Sequence, residues 1–204
     1  MSSKSKRIQL KDIQRLVEKY IKFAEVQRAI PWPGISRRLE NDAEHSFSLA
    51  LIGIALGSKI GLNPEKIAYY ATLHDLPELY AGDVSVWDEK GLKTKSINED
   101  IAVGQIANDL KTTPEIEKGV RSYRKLEDEE ARFIFALDKL FVLFMMMADE
   151  GKWWRGNNIT YEMFVKKISQ KREQVKQHLV VLEWYDEMLK SIALQRDRLF
   201  VKSQ

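Results

Sequence analysis

Apolar residues recur through this chain at the spacing of α-helices, and no stretch alternates apolar and polar residues as a half-buried strand does. That periodicity narrows the architecture to helices packed on helices. Ile13, Leu16, Val17, Tyr20 and Ala24 follow the i, i+3, i+4, i+7 rule and predict a first helix over about 11–28. The stretch Ile30-Pro31-Trp32-Pro33-Gly34 ends it, since two prolines and a glycine leave no room for helix. Asn41 and Glu44 form a capping box that opens a second helix, running to Gly61. Asn63-Pro64 reads as an N-cap followed by proline at the first helical position, starting a third helix that reaches about Asp75. Pro77 then pushes Leu76 away from the α region, so a boundary falls just after His74-Asp75.

A loop is expected over 81–95, followed by a capping box at Ser96–Glu99, a short helix from Thr113-Pro114 and a long apolar helix over 128–150. Residues 160–199 read as one long last helix. Its residues Phe164, Ile168, Lys171, Val175, His178, Leu182, Tyr185, Leu189 and Ile192 alternate spacings of 4 and 3, a seam with two polar members, Lys171 and His178. Such a seam packs on its own domain or on a second copy. With no internal repeat and no linker, the expectation is an all-α single domain over 1–204, its core in about 10–150.

Composition sharpens this. The chain has no cysteine, which removes disulfides, thiolate metal ligands and cysteine nucleophiles and fits a reducing, cytoplasmic setting. The 33 basic and 30 acidic residues nearly cancel, so bulk charge does not indicate nucleic-acid binding, while anionic small substrates stay open. Met1–Gln14 is basic without the apolar run of a secretory signal. The apolar stretch Phe133–Ala148 carries Asp138 and Lys139 in its middle, which argues against a membrane span. Only three histidines are present, His45, His74 and His178, so imidazole chemistry has a short list to draw on.

His74 and Asp75 end an otherwise apolar helix, and Glu78 follows three residues later. Neighbours on a helix point about 100° apart, so imidazole and carboxylate do not face each other; they converge on a third object. A divalent cation suits that pair. The dipeptide alone is weak, because a lone histidine near an apolar helix is more often a hydrogen-bonded core residue. Two placements strengthen it. His45 lies one turn into its own helix. Asp138 sits on the apolar face of FIFALDKLFVLFMMM, where a carboxylate costs several kcal/mol unless paired or metal-bound. Lys139, next in sequence, is expected to point elsewhere.

The order His45, His74-Asp75, Asp138 resembles the HD-domain metal-dependent phosphohydrolase superfamily, whose signature is H…HD…D on a helical bundle. Asp42–Ser46, Leu73–Glu78, Gly82-Asp83, Glu130–Phe133 and Leu137–Leu140 look like the small branch that contains bacterial 5′-deoxynucleotidases. The resemblance covers roughly 10–150. It implies one divalent ion (Mn, Co, Fe, Ni, Zn or Mg) held by His45, His74, Asp75 and Asp138. It also implies Glu78 and Asp83 as catalytic acids, and hydrolysis of (deoxy)nucleoside 5′-monophosphates. Arg28 and Trp32 match the family's phosphate-holding arginine and sugar-lining tryptophan, with a spacing that differs from the bacterial enzymes. Lys90 and Lys93 compete for the lysine expected after the Gly-Asp turn, Lys93 being preferred. A homodimer is implied by the same likeness.

Residue by residue the chemistry agrees. A metal lowers the pKa of water, Glu78 can carry a proton, and Arg28 can neutralise phosphate charge. The basic residues Arg28, Arg37, Arg38, Lys90, Lys93 and Lys95 would equally serve a deoxynucleoside triphosphate triphosphohydrolase. A non-catalytic HD module used for signalling or dimerisation is the alternative outside enzymology. His178 reads as structural, and Trp153-Trp154-Arg155 as core or dimer packing.

Overall fold

The structure is a computed structural model, and it describes residues 8–34 and 38–202. Arg37 and residues 1–7 lie outside that range. Chain order is α1 (Leu10–Glu25), β1 (Gln27–Pro31), β2 (Leu39–Asn41), α2 (Asp42–Gly57), a 3₁₀ turn (Ser58–Ile60), α3 (Pro64–Leu73), α4 (Glu78–Ala81), α5 (Glu89–Asp109) and α6 (Pro114–Arg124). Then come α7 (Glu129–Ala148), α8 (Lys152–Gly156), α9 (Tyr161–Val175), α10 (Leu179–Leu194) and α11 (Arg196–Leu199). The fold is all-α apart from one small ribbon.

α7 is the central rod. Phe133, Ile134, Leu137, Leu140 and Leu143 are each at most 2% exposed, and they pack against α2 and α3 on one side and α9 and α10 on another. Full burial of each such side chain stabilises the fold by about 1.5–3 kcal/mol. A second apolar cluster, Leu73, Val103, Ile106, Leu110 and Val120, joins α3, α5 and α6. Gly57 lets α2 approach α3, because a Cβ there would lie 2.2 Å from Ile67 Cδ1. No helix among the described residues is long and apolar enough to cross a membrane.

Most helix starts match their sequence signals. Asn41 Oδ1 accepts from the Glu44 amide at 3.0 Å while the Glu44 carboxylate accepts from the Asn41 amide, and Asn63 Oδ1 caps α3 by accepting from the Glu65 and Lys66 amides. Three expectations are corrected. The first helix stops at Glu25, and Gln27–Pro31 pairs antiparallel with Leu39–Asn41. This ribbon escapes hydrophobic alternation because two of its inward residues, Arg28 and Glu40, are charged.

Residues 89–95 are helical, not loop: Asp88 accepts from the Lys90 and Gly91 amides and starts α5 early, leaving Ser96–Glu99 mid-helix. The last helix breaks at Lys176–His178. There His178 Nδ1 accepts from the Val181 amide at 3.4 Å and caps α10, with its ring edge-on to Phe133. The seam turns inward: Phe164, Val175, Tyr185 and Ile192 are all at most 3% exposed within this chain. Trp154 is likewise core, stacked on Phe200 at 4.7 Å.

Candidate active site

α2, the end of α3 and α7 bring the four sequence-predicted ligands together. His45, one turn into α2, is fully buried; its Nε2–H donates to Asp138 Oδ1 of α7 at 3.0 Å and lies 3.8 Å from Asp75 Oδ2. His74 stands at the C-terminal end of α3, where its Nδ1–H donates to the Ala71 carbonyl at 2.8 Å. That bond fixes the tautomer, because a carbonyl only accepts. The other ring nitrogen, Nε2, is buried 3.0 Å from Asp75 Oδ2 with no hydrogen bond formed.

One ligand atom each from His45, His74 and Asp138 lies within 4.8 Å of the others. Two imidazoles and two carboxylates, one buried imidazole nitrogen forming no hydrogen bond, fit a divalent cation of the oxygen- and imidazole-binding kind. The outer contacts fit as well. His74 is oriented by a backbone carbonyl and His45 by Glu40, whose Oε2 is 3.3 Å from Nδ1. Such partners fix ring orientation in metal sites. Phe141 and Tyr123 pack on the two rings, at 5.5 and 5.8 Å between centroids.

Arg28 reaches into this site from the ribbon, where strand alternation turns it inward with Ile30. Its Nη1 is 2.5 Å from Asp75 Oδ2, 3.2 Å from Asp42 Oδ1 and 4.0 Å from Glu78 Oε2, and its Nε is 3.5 Å from Glu40. One guanidinium thus offsets a nest of carboxylates, of which Asp42, Asp75 and Glu78 form a second close group. The charges set the titration. Burial opposes ionisation of Asp75, yet His74 and Arg28 hold its carboxyl well below the usual range. Burial opposes Asp138 too, and His45 and Lys139 hold it low.

Burial and the Asp75 charge push Glu78 well up, against the pull of Lys95. Burial and Asp75 raise Asp42 to about 7. Burial and Arg28 disfavour charge on His45, but Asp138 and Glu40 outweigh them and raise it to about 9.

A cavity of about 660 Å³ opens beside these groups. Arg28, His74, Asp75, Glu78, Asp83 and Asp138 line one part, so both expected acids and Arg28 share it; Val142, Met146, Trp153 and Phe164 line the apolar part. Trp32 and Lys93 are not in its wall. Trp32 lies under the Arg38 guanidinium at 4.4 Å, at the ribbon's end. Lys93 and Lys90 are exposed on the far side of α5, because the early start of that helix turns Leu92, Lys95, Ser96 and Glu99 inward instead. Lys95 Nζ donates to Glu78 Oε1 at 2.9 Å and occupies the place expected of Lys93.

Lys139 also departs from expectation. It folds back so that Nζ is 3.6 Å from Asp138 Oδ2 and donates to the Phe135 carbonyl at 2.9 Å. Glu40 escaped sequence reasoning because a charged residue in a short strand reads as solvated. Asp42 reads as an ordinary acid in the first turn of α2.

Comparison with known proteins agrees with this geometry. A search of curated proteins gave no match. A crystal structure of a predicted metal-dependent phosphohydrolase from Magnetospirillum magnetotacticum MS-1 superposes with a TM-score of 0.76 at 24% identity, covering 93% of this chain and 94% of that one. At that identity the likeness is one of fold. A family profile described as HD domain matches residues 24–179, which include Arg28, His45, the His74-Asp75 pair, Glu78 and Asp138. This chain belongs to the HD-domain family.

Proposed function

We propose that this chain is a metal-dependent phosphohydrolase acting on (deoxy)nucleoside 5′-monophosphates and releasing phosphate. The observation that carries the reading is the convergence of His45, His74, Asp75 and Asp138, with the buried His74 Nε2 forming no hydrogen bond and lying 3.0 Å from Asp75 Oδ2. These four residues would hold one divalent ion (Mn, Co, Fe, Ni, Zn or Mg), which when bound polarises a phosphoryl oxygen and makes water a nucleophile near neutral pH.

The chain's own groups supply the rest. Burial and the Asp75 charge favour the protonated form of Glu78, which in this reading donates to the departing alkoxide. Asp83 lines the same cavity and is the second acid in this reading. Arg28 fixes Asp75 and adds positive charge where phosphoryl oxygens collect. A cavity of 660 Å³ with an aromatic and aliphatic part is of the size and kind that takes a nucleoside. The likeness in fold to a predicted metal-dependent phosphohydrolase supports the same class.

The test is a panel of nucleoside mono- and triphosphates assayed with several divalent metals, reading both inorganic products. Phosphate from dAMP, abolished by chelation, is expected. Tripolyphosphate from dATP without phosphate from dAMP would replace this reading with the triphosphohydrolase. No product from any substrate, with the metal bound, would leave a non-catalytic module.

A further inference from the structure

Of the two polar members of the seam, His178 is accounted for as the cap of α10, and Lys171 is not. One face of α9, bearing Phe164, Lys167, Ile168, Lys171 and Gln174, forms a wall of the cavity. The other cationic groups on that cavity each have a partner: Arg28 with Asp75, Lys95 with Glu78, Arg124 with Glu99, Lys139 with Asp138, and Lys167 over the Trp87 ring at 5.8 Å. Among the described residues no carboxylate lies within ion-pair distance of Lys171. The charges acting on it are Asp138 in one sense and Lys95 and Lys167 in the other.

We propose that Lys171 binds a phosphoryl oxygen of the substrate, which makes α9 the wall that closes the active site opposite the histidines. The proposal rests on the phosphohydrolase reading above and adds a residue to it. A half-buried ammonium beside two other cations is an unfavourable arrangement that an anion relieves. Burial also depresses the Lys171 ammonium below its ordinary pKa, consistent with an unmet charge. Lys171 lines the same cavity as Asp138, a proposed metal ligand, and Asp138 is the carboxylate whose charge acts on it.

The experiment titrates inorganic phosphate into the full chain by calorimetry, for wild type, Lys171→Met, Lys171→Arg and the exposed control Lys59→Met. Phosphate release from dAMP and thermal midpoint are read on the same samples. Lys171→Met is expected to weaken phosphate about tenfold or more. Lys171→Arg should stay within about threefold and Lys59→Met should be unchanged, and the midpoint of Lys171→Met should equal or exceed wild type. Loss of phosphate binding without any turnover in wild type keeps this inference and removes the phosphatase reading. Turnover with an unchanged phosphate constant and KM in Lys171→Met overturns this inference alone. So does a wild type that binds no phosphate, or a Lys171→Met midpoint several degrees lower with binding equally lost in Lys171→Arg.

Discussion

Glu40→Gln changes one buried atom type and nothing of shape, which makes it a sharp probe of the metal centre. Glu40 is fully buried, and its Oε2 lies 3.3 Å from His45 Nδ1 and 3.5 Å from Arg28 Nε. The amide removes the negative charge that orients the imidazole and makes its other nitrogen a better donor to metal. Loss of such an outer partner weakens metal binding about 10–100-fold, or about 1.4–2.7 kcal/mol. Arg28 keeps Asp42 and Asp75, so the fold is expected to hold. Manganese affinity is measured by competition with a fluorescent chelator, with circular dichroism on the same protein. A folded Glu40→Gln variant whose affinity stays within twofold of wild type would refute the orienting role, and with it the account of why a carboxylate is buried in the ribbon.

Other consequences follow from the same geometry. With His45 raised to about 9, it holds a proton at pH 7 that a metal must displace. About one proton should therefore be released per ion, and affinity should fall about tenfold per pH unit below that value; calorimetry in buffers of different ionisation enthalpy reads it, and zero release would contradict it. Gly151 has φ 68°, and a Cβ there would lie 2.5 Å from the Leu199 carbonyl oxygen, so Gly151→Ala should lower stability by about 1–3 kcal/mol in thermal denaturation; an unchanged midpoint would contradict this. A homodimer cannot use the inward seam. The exposed strip Ile13, Val17 and Tyr20 on α1 with Phe47 and Leu51 on α2, each at least 50% exposed, is the proposed contact. Sedimentation should show a dimer that Phe47→Asp dissociates; a dimer untouched by Phe47→Asp would contradict the placement.

Sequence carried the helices whose ends are written locally. Asn41 and Asn63 each accept from amides of the following turn, so caps and periodicity pointed to the same helix starts. It also singled out the four residues that the structure brings together, because His45, His74, Asp75 and Asp138 are polar residues in or at the end of otherwise apolar helices, where burial makes each one conspicuous. What failed was whatever depended on distant charge. Arg28 and Glu40 face inward from a ribbon whose inner side looks hydrophilic until each is seen against the other's charge. Lys90 and Lys93 compete for a role that Lys95 fills, because the sequence does not mark Asp88 as the cap that fixes the rotation of α5. Lys171 looked like a flaw in an apolar seam, and only the cavity gives it a surrounding.

The central claim is that one cation is held by four residues drawn from α2, the end of α3 and α7. Anomalous diffraction from crystals equilibrated with manganese tests it directly. The account predicts one strong peak about 2.0–2.3 Å from His45 Nε2, His74 Nε2 and oxygens of Asp75 and Asp138. A peak confined to Asp42, Asp75 and Glu78, or no peak at saturating metal, would contradict it.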